Sequence, residues 1–287
     1  MLTVEAPAGA PAAAAVMARA ESENFPVASR VLPRRLRSHL LAIYGFARLV
    51  DELGDSAPGD RLGVLDWLEE ELDRAYAGRA EHPLLVRLEP TLRECSLPRE
   101  PFARLIEANR TDQRVSRYES WEELRGYCAL SADPVGELVL CVFGLATPAR
   151  ITLSDSICTA LQLAEHCQDV AEDFAAGRVY LPGEDLARFG ASTSEIAALS
   201  AGEPLRQVLA FEVARARGLL RAGAPLIDDL HGRAKLAVAA FVAGGRSALA
   251  AIERAGFDVL AGPPRATRAE RLSALVQTLI ERRGQTR

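Results

Sequence analysis

Between residues 35 and 53, apolar side chains recur at steps of three and four: Leu36, Leu40, Ile43, Tyr44, Phe46, Ala47 and Val50. That spacing winds onto one broad face of an α-helix, too wide to be left in water. The segment must therefore be buried on most sides. The same period returns along the chain and predicts further helices near 60–77, 83–94, 99–112, 120–130, 134–146, 150–174, 203–222, 233–255 and 266–283. Strand-type alternation between turns is missing, and the connections are short and carry Pro and Gly. Asp133-Pro134 reads as a cap followed by proline in a first helical turn, and Gly144 and Gly256 read as helix stops. The fold class expected is all-α. Residues 1–20, rich in Ala and Pro, read as a frayed tail, and 21–287 as a single domain.

Of the 287 residues, 49% are hydrophobic and 25% charged, ample for a large core. A net charge of −5 argues against a nucleic-acid partner, which needs a basic face. Lys235 is the one lysine, so the cations are nearly all arginine, a residue suited to bidentate phosphate contacts. The five cysteines, Cys95, Cys128, Cys141, Cys158 and Cys167, are odd in number and lack a C-x-x-C spacing; they point to a reducing compartment. Glu5, Pro7 and Pro11 do not make a secretory leader. No uninterrupted apolar run reaches the ~18–20 residues that span a bilayer. The cytoplasm is the expected location, with at most a peripheral seat on a membrane surface. His39, His82, His166 and His231 do not pair at metal-ligand spacing and are assigned no role; Trp67 and Trp121 are read as packing.

Two acidic clusters close two of the apolar stretches: Asp51-Glu52-Leu53-Gly54-Asp55 and Asp169-Val170-Ala171-Glu172-Asp173. Each sets two aspartates four residues apart, hence on one helical face. Alone, such a pair is most often a solvated surface feature. At the end of a buried helix, however, carboxylates need a partner, because unpaired charge in low dielectric is costly. Magnesium suits them, since it takes oxygen ligands and commonly combines one or two carboxylates with substrate phosphates and water. Glu165 extends the second pair into an i, i+4, i+8 stripe. Arginines flank both clusters: Arg48 one turn before Asp51, Arg178 after the second cluster, and Arg30 upstream. Two carboxylate pairs facing one another in an apolar bundle, with these cations, would grip a diphosphate.

As an ordered set, these residues resemble the squalene/phytoene synthase family. The marks are Phe25 and Ser29, then Tyr44, Arg48, Asp51 and Asp55, then Tyr127-Cys128, the segment from Leu161-Gln162 to Asp173, and Gly177-Arg178-Val179-Tyr180-Leu181-Pro182. The resemblance runs from about Ser22 to Leu275. It implies an isoprenoid-synthase helical bundle with a central apolar cavity. It implies that Asp51, Asp55, Asp169 and Asp173 bind Mg²⁺, that Tyr127 is an active-site tyrosine, and that Gln162 and Tyr180 serve the pocket and the phosphate side. Residues 40–46, 134–143 and 157–164 would line the apolar pocket.

Departures from the commoner family pattern point to one branch. The second cluster reads Glu165-His166-Cys167-Gln168-Asp169 where many relatives have Asn-x-x-Arg-Asp. Ser131-Ala132-Asp133-Pro134-Val135-Gly136 replaces the usual run after the tyrosine, and Gly244-Gly245-Arg246 stands where many relatives carry an aromatic. These features are similar to the bacterial hopanoid-pathway branch, the hydroxysqualene synthases. The resemblance implies an isoprenoid diphosphate substrate, presqualene diphosphate, ionised and quenched with water. Gly245 would leave room for that water or, equally, serve close helix packing. No nicotinamide or flavin fingerprint is found, so a separate presqualene diphosphate synthase and a separate flavin-type reductase are implied as pathway neighbours. Two other readings stand beside this one. The first is a synthase condensing two prenyl diphosphates to presqualene diphosphate, dehydrosqualene or phytoene. The second is a non-catalytic assembly factor, which the retention of all four aspartates argues against.

Overall fold

The computed structural model describes residues 32–285; the expected tail over 1–20, and Phe25, Ser29 and Arg30, lie outside them. Among the described residues the regular elements are helical, and the one β-type pairing is an isolated parallel bridge between Arg117 and Val179. The helices are α1 (Arg34–Ser56), α2 (Arg61–Tyr76), α3 (Pro83–Glu94), α4 (Glu100–Asp112), α5 (Trp121–Ser131), α6 (Asp133–Val142) and α7 (Pro148–Gln168). They continue as α8 (Val170–Ala175), α9 (Gly183–Phe189), α10 (Glu203–Gly223), α11 (Leu226–Asp229), α12 (Gly232–Arg254) and α13 (Arg268–Gln285), with a 3₁₀ turn at Thr193–Ala197. The all-α expectation holds. The chain gathers into two compact units that alternate along the sequence. Of the described residues, the first takes those up to Arg114 together with Pro134–Thr147; the second takes Val115–Asp133 and those from Pro148 on.

In the first unit α1 packs against α2, α3 and α4. The wide apolar face of α1 is why: Phe46, Leu49, Val50 and Leu53 are wholly buried, and Phe46 meets Phe102 of α4 edge-on at 4.9 Å. Asp60 caps α2 by accepting from the Gly63 amide at 3.1 Å. The buried carboxylate of Glu71 is satisfied by the amides of Glu81 and His82, at 2.5 and 2.7 Å, and by Arg74.

In the second unit α7 packs on α5, α10 and α12, and α12 carries α13. Small residues let these helices close in. A β-carbon on Gly223 would lie 2.6 Å from the Leu153 carbonyl oxygen, and one on Gly245 would lie 2.7 Å from a Leu161 methyl. By length and composition α12 is the one described helix apolar enough to cross a membrane, but half of its most apolar stretch is buried and it packs on α7, α10, α11 and α13. Arg215 of α10 pairs with Asp185 at 2.8 Å and with the fully buried Glu212, and its guanidinium lies 4.7 Å from the Trp121 and Phe211 rings.

Three local expectations change. The helix expected over 150–174 is two helices, because Asp169 leaves helical geometry at φ −100°, ψ 18°. Asp133 is the first residue of α6 rather than its cap, and its carboxylate accepts from Thr159 Oγ1 at 2.9 Å. That helix also stops at Val142, ahead of the expected 146, where Gly144 takes φ 68° and its amide bonds Cys141 O.

Candidate functional site

The first acidic cluster belongs to the first unit. Tyr44, Arg48, Asp51 and Asp55 follow one another at steps of four, three and four along α1 and so share a face. Tyr44 is buried, and Asp55 is exposed. Arg48 Nη1 lies 3.6 Å from Asp51 Oδ2. Asp51 is supported from α4: Asn109 Nδ2 donates to its Oδ1 at 3.5 Å, a long contact, and to Leu105 O at 3.3 Å. Gln113 Nε2 in turn donates to Gly54 O at 3.0 Å and to Asn109 O at 3.1 Å. Burial pushes the Asp51 carboxyl up to about 6 against the pull of Arg48 and Asn109, and the charges of Asp55 and Asp112 add to the rise. Its side chain still keeps 49% of its surface accessible, so an ion can reach it.

The second cluster sits in the second unit at the bend between α7 and α8. The bend does not cut the backbone ladder. The Asp169 amide bonds Glu165 O at 2.9 Å and the Asp173 amide bonds Asp169 O at 2.8 Å, so the expected stripe of Glu165, Asp169 and Asp173 survives. At the end of α8, Gly177 takes φ 85°, a conformation that favours glycine. The chain reverses there: the Arg178 amide bonds Asp173 O at 2.8 Å, and the Arg178 charge counters that of Asp173. Burial first, then Asp169 and Glu165, push Asp173 up to about 7 despite Arg178. Burial and Glu172 raise Asp169, and Arg265 opposes them.

Beyond Arg178 the chain runs beside residues 116–119, with Val179 N bonding Ser116 O and Gly183 N bonding Tyr118 O. This sets Tyr180 against Tyr127 of α5, their ring centroids 5.5 Å apart and their planes inclined by 29°, and against Tyr118 at 5.9 Å. His166 completes the group, stacked on Tyr180 at 3.9 Å with an interplanar angle of 12°. Its Nε2 is 3.3 Å from Gln162 Nε2, and its Nδ1 is 3.9 Å from Asp173 Oδ2. Burial pushes His166 down to about 3, so the imidazole is neutral and the approach to Asp173 is not an ion pair.

Of the expected site residues, Tyr44, Arg48, Asp51 and Asp55 thus lie together on α1, and Gln162, Asp169, Asp173, Arg178, Tyr127 and Tyr180 lie together in the second unit. Arg30 is outside the described residues. At Gly245 the space of a side chain is taken by Leu161 and Leu220, which favours the close-packing reading. The segments 40–46 and 134–143 fall in the first unit and 157–164 in the second, and buried residues such as Ile43, Leu138, Leu140, Ala160 and Leu163 dominate them. Three residues were not anticipated. His166 stands four residues from Gln162 and seven from Asp173, a spacing that marks the same helical face. Tyr118 and Asn109 carry no such local signal, because they reach the site from other elements.

Among the described residues, no group of three or more His, Cys, Asp or Glu side chains is gathered to hold a metal by itself. The carboxylates come as pairs, which is what Mg²⁺ uses when substrate phosphates and water complete its shell. The Asp173 carboxyl, three-quarters covered and crowded by Asp169 and Glu165, marks negative charge short of counter-charge, and the Asp51 carboxylate is open to an ion from solvent. A hard divalent cation supplies that charge, so the donor set fits the ion.

A bundle of helices carrying carboxylate pairs, arginines and stacked tyrosines is the architecture of an isoprenoid synthase. A family model described as Squalene/phytoene synthase matches residues 18–272, and the chain belongs to this family of prenyl-transfer enzymes. It is 38% identical over 212 residues to the hydroxysqualene synthase of Sinorhizobium fredii, across 72% of this chain and 71% of that one. It is 31% identical over 253 residues to the phytoene synthase of Arthrospira platensis, across 83% and 82%. Among solved structures, the squalene synthase HpnC from Alicyclobacillus acidocaldarius shares 46% identity and a TM-score of 0.80, covering 88% of this chain and 94% of that one.

Proposed function

We propose that this chain is a hydroxysqualene synthase acting on presqualene diphosphate. The observation that carries the reading is the 38% identity to the Sinorhizobium enzyme over nearly three quarters of both chains. In the reaction the carbon–oxygen bond to diphosphate breaks and the electron pair leaves with the diphosphate. The carbocation rearranges, water adds to it, and a proton is lost, giving hydroxysqualene.

Asp51, Asp55, Asp169 and Asp173 are the residues to hold Mg²⁺. When bound, that ion neutralises charge growing on the departing diphosphate. Arg48 and Arg178, beside the carboxylates, and Arg30 supply the cationic contacts to the diphosphate oxygens. Tyr127 and Tyr180 present π-faces in a largely buried group, which favours a developing cation over a neutral ground state. Asn109 and Arg48 orient Asp51, and His166 and Gln162 brace the Tyr180 and Asp173 side. Buried apolar residues of 157–164, in the same unit as Tyr127 and Tyr180, keep stray water away from the cation. The setting is the cytoplasm, at a membrane surface, with a separate presqualene diphosphate synthase upstream and a separate reductase downstream.

Incubation with presqualene diphosphate and Mg²⁺, without reductant, followed by extraction and mass spectrometry, tests this. Hydroxysqualene is the expected product. Turnover of farnesyl diphosphate alone would replace the proposal with its rival, condensation of two prenyl diphosphates. That rival draws on the phytoene synthase relative, which covers more of the chain than the Sinorhizobium enzyme does.

A further inference from the structure

We propose that α13 is a lipid-docking helix, which lays its exposed aliphatic stripe and its arginines on an anionic membrane surface. The helix is two-faced. Thr278 is wholly buried on the side that packs against α12, whereas Leu272, Val276 and Ile280 are 64, 49 and 63% exposed. They are spaced by four and so form one line on the outer side. The other large apolar residues exposed among those described, Tyr76, Val86 and Leu199, do not share a helix face with one another. Isolated exposed apolar residues are ordinary on a protein surface; an aliphatic line along a helix is not.

Charge selects the occupant. From residue 265 to the last residue the sequence has six arginines and two glutamates, a local +4, so the remainder carries −9 within a total of −5; one of the six, Arg282, is turned inward onto Asp228 and is not part of the outer face. Arg265 and Arg268 are exposed at the start of α13. An aliphatic stripe beside arginines, on a protein otherwise acidic, matches anionic lipid rather than another acidic protein surface of ordinary composition. A second copy of this chain is a poorer occupant, because three aliphatic side chains fall short of the ~800 Å² per partner that a stable complex buries.

The helix is also tied to the acidic cluster. Gln168 Nε2, one residue before Asp169, donates to Pro264 O in the segment leading into α13. A lipid surface against α13 therefore lies beside the residues assigned above to the diphosphate. This use of the docking rests on the proposed function; the docking itself does not.

The test is co-sedimentation of the full chain with vesicles of phosphatidylglycerol and phosphatidylcholine in equal parts, and with phosphatidylcholine alone. The protein should follow the anionic vesicles and be released by high salt. Combined Leu272→Ser, Val276→Ser and Ile280→Ser should weaken partitioning about ten-fold, and Arg268→Glu should weaken it with the stripe intact. Both variants should keep the parent melting temperature and turnover on detergent-dispersed substrate. If the triple variant loses its fold, Arg268→Glu decides alone. The proposal falls if the parent ignores anionic vesicles, if the variants bind like the parent, or if the triple variant merely dissociates a lipid-free dimer. Vesicle binding without turnover of presqualene diphosphate would remove the functional reading and leave the docking standing.

Discussion

The side chain of Asn109, its Oδ1 foremost, fills the place that a β-carbon on Gly54 would need. The glycine inside the first acidic cluster thus admits the amide that supports Asp51. Gly54→Ala should push Asn109 aside. Overpacking costs about 1–3 kcal/mol, partly offset by the ~1 kcal/mol that alanine gains over glycine within a helix. Mg²⁺-dependent activity should fall more than stability does, and Asn109→Ala should reproduce the activity loss without the clash. Urea titration alongside rate measurements checks this; a Gly54→Ala protein with full activity would contradict it.

Proton and metal should compete at Asp173, whose carboxyl is raised to about 7 from an ordinary 3.8. The folded protein without metal retains a proton there that the unfolded chain has lost, so its stability falls as pH rises from 3.8 through about 7. Ion binding needs the carboxylate. The gain in melting temperature from Mg²⁺ with inorganic diphosphate should therefore be larger at pH 8 than at pH 6. Asp173→Asn should lose that dependence. Equal gains at both pH values would count against the assignment.

A second buried acid should give a pH signature away from the site. Burial, and the Asp185 carboxyl beside it, raise Glu212 to about 8 although Arg215 opposes them. Between 4.5 and about 8 the folded state holds a proton that the unfolded state lacks, so stability declines with rising pH. Glu212→Gln preserves the shape and removes that ionisation. Its unfolding free energy should be flatter with pH and exceed that of the parent at pH 8 by on the order of 1 kcal/mol. Denaturant curves at pH 5.5 and pH 8 give the comparison.

Two buried glycines should respond differently to alanine. At Gly223 the new β-carbon meets backbone, the Leu153 carbonyl oxygen at 2.6 Å and the Ile157 amide nitrogen at 3.1 Å, so α7 and α10 must part. A loss of about 1–3 kcal/mol is expected. At Gly245 it meets the methyl ends of Leu161 and Leu220, which can rotate, and the change should stay within ~1 kcal/mol. Thermal melts of the two variants check the order.

The helices were legible from periodicity because long segments such as 35–53 and 203–222 repeat the pattern for several turns. The short α9 and α11 were not, since seven and four residues hold too few turns for a period to show. The break at Asp169 was hidden for a different reason: the apolar pattern continues through it, and a change of backbone angle leaves no mark in side-chain spacing. Among site residues, Asp51 and Asp55 were readable as neighbours on one helix. The link from Asn109 to Asp51 spans 58 positions, and the meeting of Tyr118 with Tyr180 depends on a chain reversal at Gly177. Neither is written in local sequence. His166 was readable by its spacing, but it was set aside for lack of a second histidine.

The alternation of the two units along the chain has a consequence for biosynthesis. Pro134–Thr147 completes the unit begun by the N-terminal half, yet it is translated after Val115–Asp133, which belongs to the other. A nascent polypeptide therefore cannot finish its earlier half until the ribosome has also released the opening stretch of the later one. For the same reason, no single cut in the gene yields either half intact.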